Sequence, residues 1–298
     1  FEDPKLMIDS LTDNMKPGRI EIDSIDFQGP YFHEVDNRAK NLHLIRSWKT
    51  RAVMFRPDGS VAVPAELLYK KNVLTIRGSF RPVTNLNVDM IEQGQTSFYE
   101  LDGVDKENTA VIAEISLNDM QGNDARVPEK DIVARVQLLN SLGYNVMVSD
   151  YTRYFSLRAY FRQYTQLQIG IVVGMINVKQ IFDEQTYRGV EGGILEGFGK
   201  LFPDNTRLFI YPELDDSGNL NDFTLVKVQE HLRFLYRHLL ENGFLSGIEC
   251  SDSKLFSIYS RDLLKQLPHG RGDWENAVPE EVAKQIIDNK FFGFREKR

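Results

Sequence analysis

Gly78-Ser79-Phe80-Arg81-Pro82-Val83-Thr84-Asn85-Leu86-Asn87-Val88-Asp89-Met90-Ile91-Glu92 is the stretch on which the fold turns. It follows the short apolar run Val73-Leu74-Thr75-Ile76, which reads as a strand, and it runs into the helical stretch Val88–Glu92. A strand that passes into a helix through a glycine loop has a physical use. Gly78 lets the backbone turn tightly and approach a ligand. The first turn of the helix offers unpaired N–H groups and the positive end of a dipole, and both favour a phosphate. A lone turn of this kind carries little weight, so the rest of the chain has to agree with it.

Downstream, the apolar pattern alternates between strand and helix. Val111–Ile115, Asn145–Val148, Ile169–Met175 and Leu208–Tyr211 read as short buried strands. Between them, Ile132, Val133, Val136, Leu139 and Leu142 recur at helical spacing up to Gly143, and Leu157–Tyr164 forms another helical stretch. Leu225, Val228, Leu232, Leu235 and Leu239 predict one long helix ending at Gly243. This order implies an α/β fold, a Rossmann-like, mainly parallel sheet with helices on both faces. Ligands of such sheets sit at the carboxyl ends of the strands.

Upstream the pattern differs. Residues 1–18 are polar and carry Pro4 and Pro17, as a linker or docked tail would. Ile20, Ile22, Ile25 and Phe27 alternate like a half-buried strand. Ala52–Phe55 and Val61–Val63 flank the turn Arg56-Pro57-Asp58-Gly59 and predict a β-hairpin. We therefore divide the chain into a small N-terminal β-containing appendage, residues 1–70, and an α/β domain, residues 71–298. The chain opens on Phe1 and not on Met, which we read as a fragment or a processed chain.

The bulk properties bound the function. The 298 residues carry 36 basic and 43 acidic side chains, a formal net charge of −7. That argues against a general nucleic-acid or anionic-membrane binder and leaves room for a local basic pocket. One cysteine, Cys250, excludes an internal disulfide framework and points to a reducing compartment, the cytoplasm. No run approaches the length of about 18 apolar residues that a membrane span needs.

The quoted stretch resembles the first motif of the nucleotidyltransferase-like superfamily, in particular the phosphopantetheine and nicotinate-nucleotide adenylyltransferases. Their pattern runs Gly-Ser-Phe-Asp-Pro, one residue, Thr or His, one residue, Gly-His. Gly78, Ser79, Phe80, Pro82 and Thr84 match it. Arg81 stands in place of the Asp, Leu86 of the Gly, and Asn87 of the His that contacts the triphosphate. A second family motif, Ile-Ser-Ser-Thr, one residue, Ile-Arg, is similar to Ser257-Ile258-Tyr259-Ser260-Arg261-Asp262-Leu263-Leu264. Ser260 matches a motif serine, Arg261 replaces the Thr and Leu264 the Arg. Gly270, Val278-Pro279 and Val282–Ile287 follow in the family order, and Ile171–Met175 occupies the place of a family strand without the arginines that follow it there.

The resemblance implies a site. Arg81, Thr84 and Asn87 take the catalytic positions, and Gly78, Ser79, Phe80, Ser260 and Arg261 the cofactor-binding ones; no metal ligand is assigned. The implied cofactor is ATP with Mg²⁺, and the implied partner a nucleotide or phosphorylated small molecule. A protein partner or homo-oligomer is a further expectation; nucleic acid and membrane are not. Adenylyl transfer requires neutralising charge on the departing pyrophosphate, normally by cationic side chains. Asn87 carries no charge and Leu264 offers no donor. Two readings follow. The first is a degenerate relative, a pseudoenzyme acting as a nucleotide-binding, scaffold or regulatory protein. The alternative is an active adenylyltransferase that joins ATP to a phosphorylated small molecule and releases pyrophosphate, with Arg81 and Arg261 compensating. Both need residues 78–87 and 257–264 to meet in the fold.

Other features read as structural. His231 and His238 share a helix face, but their spacing and surroundings do not suit a metal pair. Cys250 has no base partner in sequence and reads as a structural thiol. The glycines of Gly189–Gly199 lack the Lys-Ser/Thr of a phosphate-binding loop and suggest a turn into a short helix beside the site, or a lid. Tyr151, Tyr154, Phe155, Tyr160, Phe161 and Tyr164, with Arg153, Arg158 and Arg162, predict an aromatic-packed helix with a basic outer face. Lys70, Lys71 and Arg77 read as solvated charges.

Overall fold

The computed structural model describes residues 3–16, 19–117, 127–203, 205–215, 217–221, 223–270 and 272–296. In chain order the helices are α1 (Pro4–Ser10), α2 (Asn37–Arg46), α3 (Pro64–Leu68), α4 (Asn85–Tyr99), α5 (Glu129–Ser141) and α6 (Tyr154–Arg162). They continue with α7 (Met175–Ile181), α8 (Gly193–Leu201), α9 (Arg233–Glu241), α10 (Ser260–Gln266) and α11 (Glu280–Asn289). The strands are β1 (Ala52–Phe55), β2 (Val61–Ala62), β3 (Asn72–Arg77), β4 (Thr109–Ser116), β5 (Asn145–Ser149), β6 (Ile169–Gly174), β7 (Thr206–Tyr211) and β8 (Leu245–Gly247). Among the described residues, no helix is long and apolar enough to cross a membrane.

All eight strands form one sheet, in the order β2-β1-β5-β4-β3-β6-β7-β8. From β5 to β8 every neighbouring pair is parallel, while β1 pairs antiparallel with both β5 and β2. Numbered among themselves, the parallel strands run 3-2-1-4-5-6, the Rossmann order. The direction of winding reverses between β3 and β6, and there the carboxyl ends open a crevice. The β1–β2 hairpin extends the same sheet beyond β5, with Ala52 opposite Ser149.

Buried side chains fill both faces. One layer joins Leu74, Ile76, Ile115 and Val172 of the sheet to Ile91, Phe98, Val136, Leu139 and Ile286 of the helices. The other joins Val73, Ile112, Ile171 and Ile210 to Leu157, Phe161, Val178, Phe198 and Leu239. Two glycines set how closely α4 approaches. A Cβ at Gly170 of β6 would lie 2.7 Å from the Leu74 and Phe98 side chains, and one at Gly94 of α4 would overlap Val172. The absence of side chains at these positions seats α4 at the β3–β6 junction and aims its first turn beyond the end of β3.

Two sequence expectations need correction. Ile20–Phe27 forms no strand. Its extended backbone is instead paired by amides on α2. Asn41 accepts from the Ile25 N–H at 3.0 Å and donates to the Ile25 carbonyl at 2.7 Å. Asn37, one turn earlier, accepts from the Phe27 N–H at 2.9 Å and donates to its carbonyl at 3.2 Å. The alternation was real, but helix side chains supply the ladder. The long helix from Leu225 also breaks up. Single 3₁₀ turns occupy Phe223–Leu225 and Glu230–Leu232, and α9 begins at Arg233. The Tyr236 hydroxyl donates to the Phe223 carbonyl and folds that segment back on the helix. Leu225 is left largely exposed.

Candidate functional site

The loop after β3 leaves the sheet at the point of reversal. The Gly78 N–H still donates to the Glu114 carbonyl, at 3.1 Å. Phe80 then takes a left-handed conformation, φ +45°, and buries its ring. A Cβ at Gly78 would lie 2.9 Å from that ring, so glycine is required there. The Arg81–Pro82 peptide is cis. From below, Arg135 of α5 donates through Nη1 to the Ser79 carbonyl at 3.1 Å and through Nε to Asp131 Oδ1 at 2.7 Å. Arg81 donates to the other oxygen, Asp131 Oδ2, at 2.8 Å. Burial lowers the Arg135 pKa, and Asp131 opposes this without fully offsetting it.

The loop closes into α4 through a capping box. Thr84 is the N-cap; its hydroxyl oxygen accepts from the Asn87 N–H at 3.3 Å, and Asn87 Oδ1 accepts from the Thr84 N–H at 3.0 Å. Asn85 donates its side-chain amide to the Asn276 carbonyl at 3.0 Å, which ties the start of α4 to the C-terminal region.

A cavity of about 680 Å³ opens at the carboxyl ends of the parallel strands. Gly78 and Ser79 form one side, Ser116 the end of β4, and Thr152, Arg153 and Tyr154 the entry to α6. Ile176, Asn177, Gln180 and Ile181 of α7, together with Thr186 and Tyr187, form the opposite wall, and Arg261 of α10 reaches in from the C-terminal region. This size is ordinary for a small-molecule site. Three arginines line it, Arg77, Arg153 and Arg261, and among the described residues no carboxylate does.

The arginines differ in their partners. Arg77 overturns the expectation of a solvated charge. Its side chain is 5% exposed and pairs with the fully buried Glu114, Nε to Oε2 at 2.6 Å and Nη2 to Oε1 at 3.1 Å. It also donates to the Thr152 carbonyl at 3.2 Å and stacks on Tyr154. Ser149 donates to Glu114 Oε1 at 2.5 Å. The pocket floor is therefore a buried polar network tying together the ends of β3, β4 and β5. Arg153 donates to the carbonyls of Thr186 and Arg188 at 2.8 and 2.7 Å and anchors the opposite wall. Arg261 is exposed, and no carboxylate among the described residues engages it.

The structure thus brings together three of the residues singled out in sequence, Gly78, Ser79 and Arg261. Ser260 lies next to Arg261 at the start of α10 and is not part of the lining; Phe80 is buried beneath the loop. Arg81 is turned to Asp131, and Thr84 and Asn87 are bonded to each other. Sequence reading missed Arg77, Ser116, Thr152 and Asn177 as pocket residues. The available signal was their position: each lies at, or just beyond, the end of a predicted strand. Arg158 and Arg162 donate to groups on Thr206, Asn205 and nearby carbonyls, so they brace the start of β7. His231 pairs with Glu184, and His238 with Asn242.

The fold and its crevice define a Rossmann-ordered α/β protein with a cationic pocket at the reversal of the sheet. No family model matches the chain, and no curated protein matches it. Among solved structures it is similar to the Plasmodium falciparum nicotinic acid mononucleotide adenylyltransferase complexed with APC, at 15% identity over 76% of this chain and 98% of that one, TM-score 0.45. The same enzyme complexed with NaAD gives the same identity and coverage with a TM-score of 0.46. A putative nicotinate-nucleotide adenylyltransferase from Vibrio parahaemolyticus, also at 15% identity and the same coverage, gives 0.35.

Proposed function

We propose that this chain is a nucleotidyltransferase-like protein that retains an anion-binding pocket and has given up transfer chemistry, acting as a nucleotide-binding, scaffold or regulatory protein. One observation carries the reading: loop residues Gly78 and Ser79 and the distant Arg261 converge on a pocket lined by arginines, without a carboxylate among its described residues. Arginine suits charge-assisted, bidentate binding of phosphate. At the motif positions where charge on a departing pyrophosphate would be neutralised, Asn87 is uncharged and committed to its capping bond, and Leu264 offers no donor. Such a pocket binds a phosphorylated ligand and does nothing further to it.

The test is calorimetric titration with ATP, nicotinate mononucleotide, NAD and coenzyme A precursors, followed by a pyrophosphate-release assay on every ligand that binds. We expect saturable binding of at least one and no pyrophosphate above the blank. Catalytic release of pyrophosphate would establish the active-enzyme alternative. Failure of every ligand would leave the scaffold role alone.

A further inference from the structure

The N-terminal segment carries an exposed apolar groove that shares no lining residue with the crevice. We propose that this groove, centred on Trp48, docks a short acidic segment of another protein that carries a bulky apolar side chain.

Trp48 itself is the first observation. It follows the last turn of α2, where its N–H donates to the Ile45 carbonyl at 3.1 Å and the Lys49 N–H reaches back to the Leu44 carbonyl at 2.9 Å. That closure holds Trp48 in the left-handed conformation, φ +59°, at a position that glycine fills most easily. A side chain there strains the backbone. Of the other described non-glycine residues with positive φ, Asn14, Lys70 and Lys290 are polar, and Phe80 and Phe292 are buried or half-buried. Trp48 is 81% exposed. The fold therefore bears strain at this residue and gains little burial from its indole. An exposed ring of this kind is the residue type that anchors protein contacts.

The groove around it supplies the chemistry of the occupant. Met15, Ile20 and Trp48, with Thr12 and Ser47, enclose about 350 Å³, at the small end for a ligand cavity and room for an inserted side chain. Lys16 and Lys49 line it too, and among the described residues no carboxylate does. Lys49 donates to the Asp9 carbonyl at 3.0 Å and to the Thr12 hydroxyl, and neither neutralises its charge. Lys16 is exposed and forms no ion pair with the described residues. The acids nearby are engaged elsewhere: Asp9 pairs with His43 at 2.8 Å, and Glu21 accepts from the Thr50 hydroxyl and the Arg51 N–H. Exposed Asp13 is matched by exposed Arg19, and Pro17 and Gly18 bring no charge. An apolar floor flanked by two lysines is complementary to an apolar anchor flanked by carboxylates.

A second copy of the chain and an anionic bilayer fit less well. A copy docked through the same face would set Lys16 and Lys49 against their own counterparts. A bilayer would extend past the groove over a chain of net charge −7. A short segment lies within the screening length of about 8 Å from the two lysines and senses little else.

The experiment is selection of short random peptides displayed on phage against the full chain, with counter-selection on Trp48→Gly, followed by titration of a selected peptide read by tryptophan fluorescence. Trp274, the other tryptophan, is 2% exposed, so the signal reports on Trp48. Selected sequences should combine Leu, Ile, Phe or Trp with Asp and Glu in excess over Lys and Arg. Trp48→Gly should weaken the peptide about thirtyfold, the loss of an interface anchor. Its thermal midpoint should hold or rise, because glycine relieves the left-handed strain. Lys16→Glu should weaken binding about fivefold. Selected sequences without an acidic bias, or none that survive counter-selection, would overturn the inference. So would a lower midpoint for Trp48→Gly, which would assign the indole to the fold. A dimer in sedimentation that Trp48→Gly returns to monomer would put a second copy in the groove instead, and Trp48-dependent co-sedimentation with phosphatidylserine vesicles a membrane surface; either result replaces the proposal.

Discussion

Arg135 donates from Nη1 to the carbonyl oxygen of Ser79 at 3.1 Å, although the two residues stand 56 positions apart in the chain. The same guanidinium pairs with Asp131, which also takes Arg81. The pocket loop is therefore held from beneath by the buried Arg135 and Asp131, with the partly exposed Arg81 on the second carboxylate oxygen. Its conformation is set by α5 as much as by its own sequence.

Removing that support should be costly. In Arg135→Met the Ser79 carbonyl loses its donor and Asp131, 9% exposed, loses its better-buried partner. We expect a loss of about 3 kcal/mol, at the lower end of the range for breaking a buried ion pair because Arg81 remains. Urea denaturation checks this through a shift in midpoint at unchanged slope. A loss below about 1 kcal/mol would show that the contact is incidental.

Gly94→Ala reverses an ordinary rule. At an exposed helix position alanine in place of glycine gains about 1 kcal/mol. In α4 the added methyl group would overlap Val172 of β6. Overpacking of this kind costs about 1–3 kcal/mol, so the net effect should be destabilising or at best neutral. Thermal denaturation of Gly94→Ala beside an exposed control, Gly199→Ala in α8, separates the two outcomes. A Cβ at Gly199 meets nothing within 4 Å, and this second substitution should stabilise.

Asp89 and Tyr211 predict how stability changes with pH. Burial pushes the Asp89 carboxyl up, but hydrogen bonds from Ser251, Tyr211 and Gln93 outweigh it and leave the pKa below its ordinary value. The native state therefore binds this proton less well than the unfolded chain. Asp89's contribution is present above the ordinary carboxylate pKa of about 4 and is lost as pH falls through the lower native value. Tyr211 runs the other way. Burial, with the bonds to Asp89 and Cys250, raises its phenol pKa. Its contribution is full below the ordinary value of about 10 and declines as pH rises beyond it. Urea midpoints across the range should fall less steeply in acid for Asp89→Asn, and less steeply in alkali for Tyr211→Phe, than for the parent chain. Parallel curves for parent and variants would contradict the assignment.

The sequence made the α/β fold legible through the runs that are buried on both faces. Val73–Ile76, Ile112–Ile115 and Ile169–Val173 are buried throughout, so no solvent-facing side masks their pattern. The crevice was legible in part, because Gly78 and Arg261 lie in local motifs. The polar floor was not. Glu114 sits in an apolar run, and only its parallel register with Arg77 explains why a carboxylate can be buried there. Asn37 and Asn41 escaped for the same reason: a helix amide that pairs with an extended backbone leaves no periodic trace at either end.

Glu114→Gln takes the buried Glu114 carboxylate away from the Arg77 guanidinium, 5% exposed, and should cost about 3–5 kcal/mol. The pair itself need not be worth that much, because both charges lost their hydration on burial. Replacing both, Arg77→Met with Glu114→Leu, removes the desolvation penalty along with the attraction and should recover most of the stability lost in the single variant. The double variant also removes the donor to the Thr152 carbonyl and the cation over Tyr154. Stability and ligand affinity should therefore separate, with the double variant folding well and binding a phosphorylated ligand at least about tenfold more weakly. Urea denaturation and calorimetry on the same samples decide the point. A double variant that folds well and binds as tightly as the parent would show that the floor serves the fold alone, whereas one as unstable as Glu114→Gln would mean that the network's hydrogen bonds matter more to the fold than its charges.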